Sequence, residues 1–113
     1  MGTQDFTHLK GDTFKPHRFT FTLSGSSIYD FTDATVKIQL KKFYGDQSRL
    51  TFDSVTGGIT ILNNTSTILD FEIDEQIIDI LAFNYIYDIQ ITMGDVVKTW
   101  LGGNFEIIDT VTV

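Results

Sequence analysis

In "ILDFEID", residues 68–74, Leu69, Phe71 and Ile73 alternate with Asp70, Glu72 and Asp74. A period of two places one set of side chains in a core and the other in water, which is the mark of a β-strand. The same period recurs along the chain. Phe19, Phe21 and Leu23 alternate with Thr20 and Thr22, and Val36, Ile38 and Leu40 alternate with Lys37, Gln39 and Lys41. Leu50 with Phe52 predicts a shorter strand, and Ile59 with Ile61 predicts another, opened by Gly57 and Gly58.

Residues 84–105, "NYIYDIQITMGDVVKTWLGGNF", read as one long hairpin. Tyr85, Tyr87, Ile89, Ile91 and Met93 share one face; Ile86, Asp88, Gln90 and Thr92 share the other. Gly94-Asp95 supplies the turn, because glycine takes the positive φ that a tight hairpin demands. On the return strand Val97, Thr99 and Leu101 are expected on one side, with Lys98 and Trp100 opposite, up to a bend at Gly102-Gly103 and a final "DTVTV". Only "DEQIIDILAF" breaks the period. Ile77, Ile78 and Leu81 fall on one helical face after Asp74 as N-cap, so a short helix is predicted near 75–82.

Seven or eight short strands separated by turn signals predict an all-β fold, an antiparallel β-sandwich of immunoglobulin-like type with that one helix. The 113 residues suffice for a single domain, 1–113, with one core. Pro16 falls in a link, where it interrupts no ladder.

Composition limits the chemistry. Fifteen acidic against eight basic residues give a net charge of -7, and the largest basic run is Lys41-Lys42, so no phosphate-tracking surface and no nucleic-acid partner is expected. No segment approaches the ~20 apolar residues of a membrane helix, and no membrane association is expected. The start, "MGTQDFTHLK", has neither the basic nor the apolar region of a secretory signal. Cysteine is absent, which removes disulfides, thiolate metal sites and a cysteine nucleophile. The overlapping sequons at Asn63 and Asn64 are read as turn residues.

His8 and His17 are the two candidate general bases, and neither lies in a serine-elbow motif. Carboxylates cluster at Asp30 with Asp33, and at Asp70, Glu72, Asp74 and Glu75, without calcium-loop spacing. No catalytic residue, metal or cofactor is therefore expected. Asp88 is expected on the outer strand face, one pairing position from a lysine or threonine of a neighbouring strand, or else buried against a partner such as a Tyr hydroxyl, in either case in a structural role. Ile86, Val96 and Trp100 stand opposite an already complete core set, which makes them the candidate interface.

Several pieces carry a resemblance in chain order: "GDTF" at 11–14, "DFTDATVKIQL" at 30–40, "GGITI" at 57–61, "YIYDIQIT" at 85–92, "KTWLGG" at 98–103 and "VT" at 111–112. Together they resemble small β-sandwich structural proteins of tailed bacteriophages, similar to the amino-terminal domain of phage baseplate upper proteins. The resemblance implies a non-enzymatic virion component of tail, baseplate or head-attached apparatus, assembled in the host cytoplasm through contacts with other virion proteins, and a homo-oligomer. A second expectation is a carbohydrate- or cell-surface-binding module, with Trp100, Tyr85, Tyr87 and acidic loops forming its site, with or without calcium.

Overall fold

The computed structural model describes residues 2–23 and 28–109. Eleven strands lie within them: β1 Gly2–Thr3, β2 Phe6–Leu9, β3 Thr13–Phe14, β4 His17–Thr22, β5 Thr35–Lys41, β6 Leu50–Asp53, β7 Ile59–Asn64, β8 Ile68–Ile73, β9 Gln76–Ile77, β10 Phe83–Met93 and β11 Val96–Ile108. The fold is all-β. The seven longest-patterned strands stand where alternation predicts them; the four additions, β1, β2, β3 and β9, are two to four residues long. Of "DTVTV", only Asp109 is within the described residues.

The larger sheet has the order β1-β11-β10-β5-β6, with β2 also paired to β11. A three-stranded sheet has the order β4-β8-β7, and β3 pairs with β9 in a two-stranded ribbon. Both β1 and β2 run parallel to β11, so the fully antiparallel expectation fails at this edge. The remaining pairs within the sheets are antiparallel.

The inner faces of the two larger sheets supply one core, a sandwich-like arrangement. Val36, Ile38, Leu40, Ile89 and Ile91 come from one sheet, and Phe19, Leu69, Phe71 and Ile73 from the other. Aromatic rings bridge the layers, Phe6 to Phe19 with centroids 6.3 Å apart and Phe21 to Trp100 at 6.2 Å. Phe71 is fully buried and stacks on Phe19 at 5.3 Å, so its truncation to alanine is worth about 3–5 kcal/mol.

No helix occurs among the described residues, and the predicted one at 75–82 is replaced by β9 and an extended strand-like segment. Ile78 is buried while Ile77 and Leu81 are 67% and 63% exposed, which separates residues that a helix would place together. Two causes act in one direction. Three β-branched isoleucines stiffen the segment toward extended backbone, and eight residues are too few to nucleate a helix cheaply. Backbone partners also wait in the β2–β3 turn, where the Gly11 N–H donates to the Ile78 carbonyl at 2.8 Å.

The return strand also departs from expectation. Gly94 has φ +60° and the two-residue turn it opens fixes Val96 opposite Met93 and Lys98 opposite Ile91. Val96, Lys98 and Trp100 therefore share the inner side, with Val97 and Thr99 outside. A β-bulge facing Ile89 and Gln90 leaves Trp100 as the extra residue, after which Leu101 pairs with Ile89 and is inward too.

Candidate functional site: a polar groove on the outer face of the larger sheet

Alternation sends Gln39 and Lys41 of β5, Ile86 and Asp88 of β10, and Thr99 and Asn104 of β11 to the outer face of the larger sheet. These side chains line a groove of about 460 Å³. Cross-strand registers align its floor. Asp88 lies between Gln39 on β5 and Gly102 on β11, and Ile86 lies between Lys41 and Asn104. Because glycine has no side chain, the floor beside Asp88 stays open.

Two segments form the walls. On one side the loop after β5 carries Tyr44, whose side chain lines the groove and is 90% exposed. Asp46 fixes this loop by accepting the Lys42 N–H at 3.1 Å and a two-nitrogen contact from Arg49 at 3.0 and 3.1 Å. Arg49 beside it holds the Asp46 carboxyl below its usual range. On the other side runs the amino-terminal strand, where Asp5 accepts the Asn104 N–H at 2.9 Å.

Asp88 is half-buried in the floor. Burial pushes its carboxyl above the usual value, while the Lys41 ammonium acts in the opposite direction. Its direct strand neighbours are Gln39 and Gly102, and Lys41 stands one pairing position along the same face of β5. Among the described residues, the side chains of Gln39, Lys41, Asp88 and Asn104 have no hydrogen-bond partner.

The three residues singled out as an interface are not brought together. Ile86 lies on the groove floor. Val96 is at the hairpin tip on the inner side, 45% exposed. Trp100, expected on the solvent side, packs inward against Phe21, Tyr29 and Phe31, with centroids 6.2, 5.6 and 5.5 Å away. Its indole N–H is buried without an acceptor among the described residues. Lys98 lies across the rings of Tyr29 and Trp100 at 4.5 and 5.2 Å, so the outer edge of this cluster is a cation on aromatic faces.

The hydroxyls of Tyr85 and Tyr87 are likewise engaged inside the fold, although Tyr87 also borders the groove. Tyr85 is buried and donates its hydroxyl to the Leu81 carbonyl at 2.5 Å; Tyr87 donates to the Gln4 carbonyl. Burial pushes the Tyr87 hydroxyl up to about 12, with the Asp5 charge adding to it.

Both histidines are engaged structurally. His8 donates from Nε2 to the Asp12 carbonyl at 2.9 Å, and its ring meets Phe14 edge-on. His17 Nε2 stands 3.0 Å from the Gln4 amide nitrogen, which makes it the acceptor, and its ring lies between Phe6 and Phe19. Neither histidine meets a serine or threonine hydroxyl among the described residues.

The acidic clusters are dispersed in the same way. Asp30 caps its own turn through the Thr32 N–H at 2.8 Å and hydroxyl at 2.5 Å, which lowers its proton affinity. Asp70, expected in solvent, is only 6% exposed because Arg18 closes over it from β4, with Thr20 donating at 3.1 Å. Asp74 accepts from Thr60 at 2.6 Å and Glu75 from Lys15 at 3.2 Å. Among the described residues no three histidine or carboxylate groups converge as metal ligands would. Asn63 and Asn64, read as turn residues, end β7, and the Asn64 amide donates to the Thr32 carbonyl at 2.5 Å.

The groove could not be found from one strand at a time. Its polar residues are ordinary outward positions of three strands, and only the pairing of β5, β10 and β11 unites them. No protein-family model matches this chain, and no curated protein matches it.

Proposed function

We propose that this protein is a non-enzymatic structural component of a tailed-phage virion, assembled in the host cytoplasm, that works through contacts with its own copies and with other virion proteins. The observation that carries the reading is an apolar end. Phe43, Leu81 and Phe83 are 59%, 63% and 41% exposed. Lys41 pairs with Ile86, which sets the end of β5, just before Phe43, beside the start of β10, where Leu81 and Phe83 lie. Lys42 lies 5.2 Å from the Phe83 ring. Exposed aromatic side chains, Phe83 at the start of β10 and Phe43 in the loop after β5, are the residue type that anchors protein interfaces.

The order and type of the motifs quoted above, from "GDTF" to "KTWLGG", support the virion assignment by resemblance. The engagement of both histidines in structural contacts supports a non-enzymatic role. We also assign the sandwich to the immunoglobulin-like class. Support comes from the strand orders β1-β11-β10-β5-β6 and β4-β8-β7, and from the Tyr85 bond to a carbonyl four residues upstream at the corner before its strand.

Light scattering tests the assembly reading. Wild-type protein is expected to gain mass with concentration toward a defined oligomer, and Phe43→Ser with Phe83→Ser is expected to abolish the gain without unfolding. A wild-type monomer throughout the series would contradict self-assembly.

A further inference from the structure

The outer-face groove and the apolar end are separate features, and the groove has its own chemistry. Its volume, about 460 Å³, lies within the ~300–1,000 Å³ span of small-molecule clefts. Four side chains without a hydrogen-bond partner among the described residues line it: the Asp88 carboxylate, the Lys41 ammonium and the Gln39 and Asn104 amides. Ile86 on the floor and the Tyr44 ring on the wall add apolar surface.

These groups exclude several ligand classes. A wholly apolar ligand would desolvate the carboxylate, the ammonium and both amides without pairing them. An anion such as phosphate would meet Asp88 and Asp5 in a chain of net charge -7. A bare metal ion would face Lys41 and would find no third acidic or histidine ligand among the described residues.

A neutral ligand bearing adjacent hydroxyls satisfies every group. Each hydroxyl both donates and accepts, so it can serve carboxylate, ammonium and amide alike, and a carboxylate can accept two at once. A pyranose ring also presents one face of C–H groups, which suits Ile86 and an aromatic wall. We propose that this groove binds a neutral sugar residue, with Asp88, Gln39, Lys41 and Asn104 taking its hydroxyls and Tyr44 stacking on its apolar face. The site is distinct from Trp100 and Tyr85, whereas Tyr87 borders it with its hydroxyl held by the Gln4 carbonyl, and the inference does not rest on the assembly reading.

The test is an NMR titration of the full chain with millimolar glucose, galactose, mannose and N-acetylglucosamine, run beside lysine amide and inorganic phosphate as probes of competing chemistry. At least one sugar is expected to shift the backbone signals of Gln39, Asp88 and Asn104. Asp88→Ala should weaken that binding about tenfold, the scale of one charged hydrogen bond, and Tyr44→Ala, which changes an exposed loop side chain, should weaken it by a similar factor through the lost ring contact. Their melting curves check folding independently. The proposal is overturned if no sugar shifts those signals, if only lysine amide or phosphate does, or if the folded Tyr44→Ala protein binds the sugar as the wild type does.

Discussion

Tyr87 donates its hydroxyl to the Gln4 carbonyl by reaching under β11 at Gly103, the residue paired with Tyr87 across the strands. The bond exists because position 103 has no side chain. A Cβ there would fall 2.2 Å from that same carbonyl oxygen and 2.9 Å from Asp5 Oδ1. The crossing joins the amino-terminal strand to the core and holds Asp5 at the groove wall. One glycine thus governs both edge pairing and groove shape.

Gly103→Ala is therefore expected to displace residues 2–9 and to destabilise the fold by ~1–3 kcal/mol, the usual range for overpacking. Tyr87→Phe should cost about 1 kcal/mol through the lost bond. Urea denaturation gives both values, and the double variant should cost less than the sum because both changes act on Gln4. Simple additivity would show that the two residues act apart.

Tyr85→Phe removes the bond to the Leu81 carbonyl and loosens the extended segment that leads into β10. A loss of ~1–2 kcal/mol is expected in urea denaturation. Faster amide exchange at residues 78–83 should accompany it. An unchanged midpoint would mean that water replaces the bond.

His17 gives the fold an acid sensitivity. Burial lowers its proton affinity below the ordinary value of 6.5, so the unfolded chain binds the proton more readily than the folded one. Its contribution is complete above 6.5 and is lost as pH falls through the folded value. Protonation also turns the acceptor facing the Gln4 amide into a second donor. Melting temperature followed from pH 7 to 5 should fall, and His17→Phe should flatten that part of the profile. An unaltered slope in the variant would assign the sensitivity elsewhere.

Asp88 has the opposite sign. Its folded value is raised, so the folded chain binds the proton more readily, and the stability from this site is present at low pH and lost as pH rises through the folded value. Asp88→Asn should be at least as stable as wild type at neutral pH, with the difference closing toward pH 4. A neutral-pH loss that closes in acid would show that attraction to Lys41 outweighs desolvation.

The legible parts of the fold were those with one buried face and enough length. In β5, β8 and β10 the inward sets Val36/Ile38/Leu40, Leu69/Phe71/Ile73 and Tyr85 through Met93 are as alternation requires. The return strand was ambiguous because "VVKTWL" has apolar residues at both parities. The two-residue turn and the Trp100 bulge resolved it, and pairing geometry of that kind is not written in local periodicity. The segment 74–83 breaks the period of two and follows that of 3.6, and the backbone partners of Gln76 to Ile78 lie more than sixty residues earlier. The short strands β1, β2, β3 and β9 likewise form only because a distant strand edge is present. Asp70 looked solvated because its cover, Arg18, comes from another strand.

The most direct test of the assembly reading is the solution mass by light scattering across a concentration series, for wild type and for Phe43→Ser combined with Phe83→Ser. A wild-type oligomer of fixed stoichiometry that becomes a folded monomer in the double variant is the expected result. A wild type that stays monomeric at every concentration, or an oligomer indifferent to both substitutions, would contradict assembly through this apolar end.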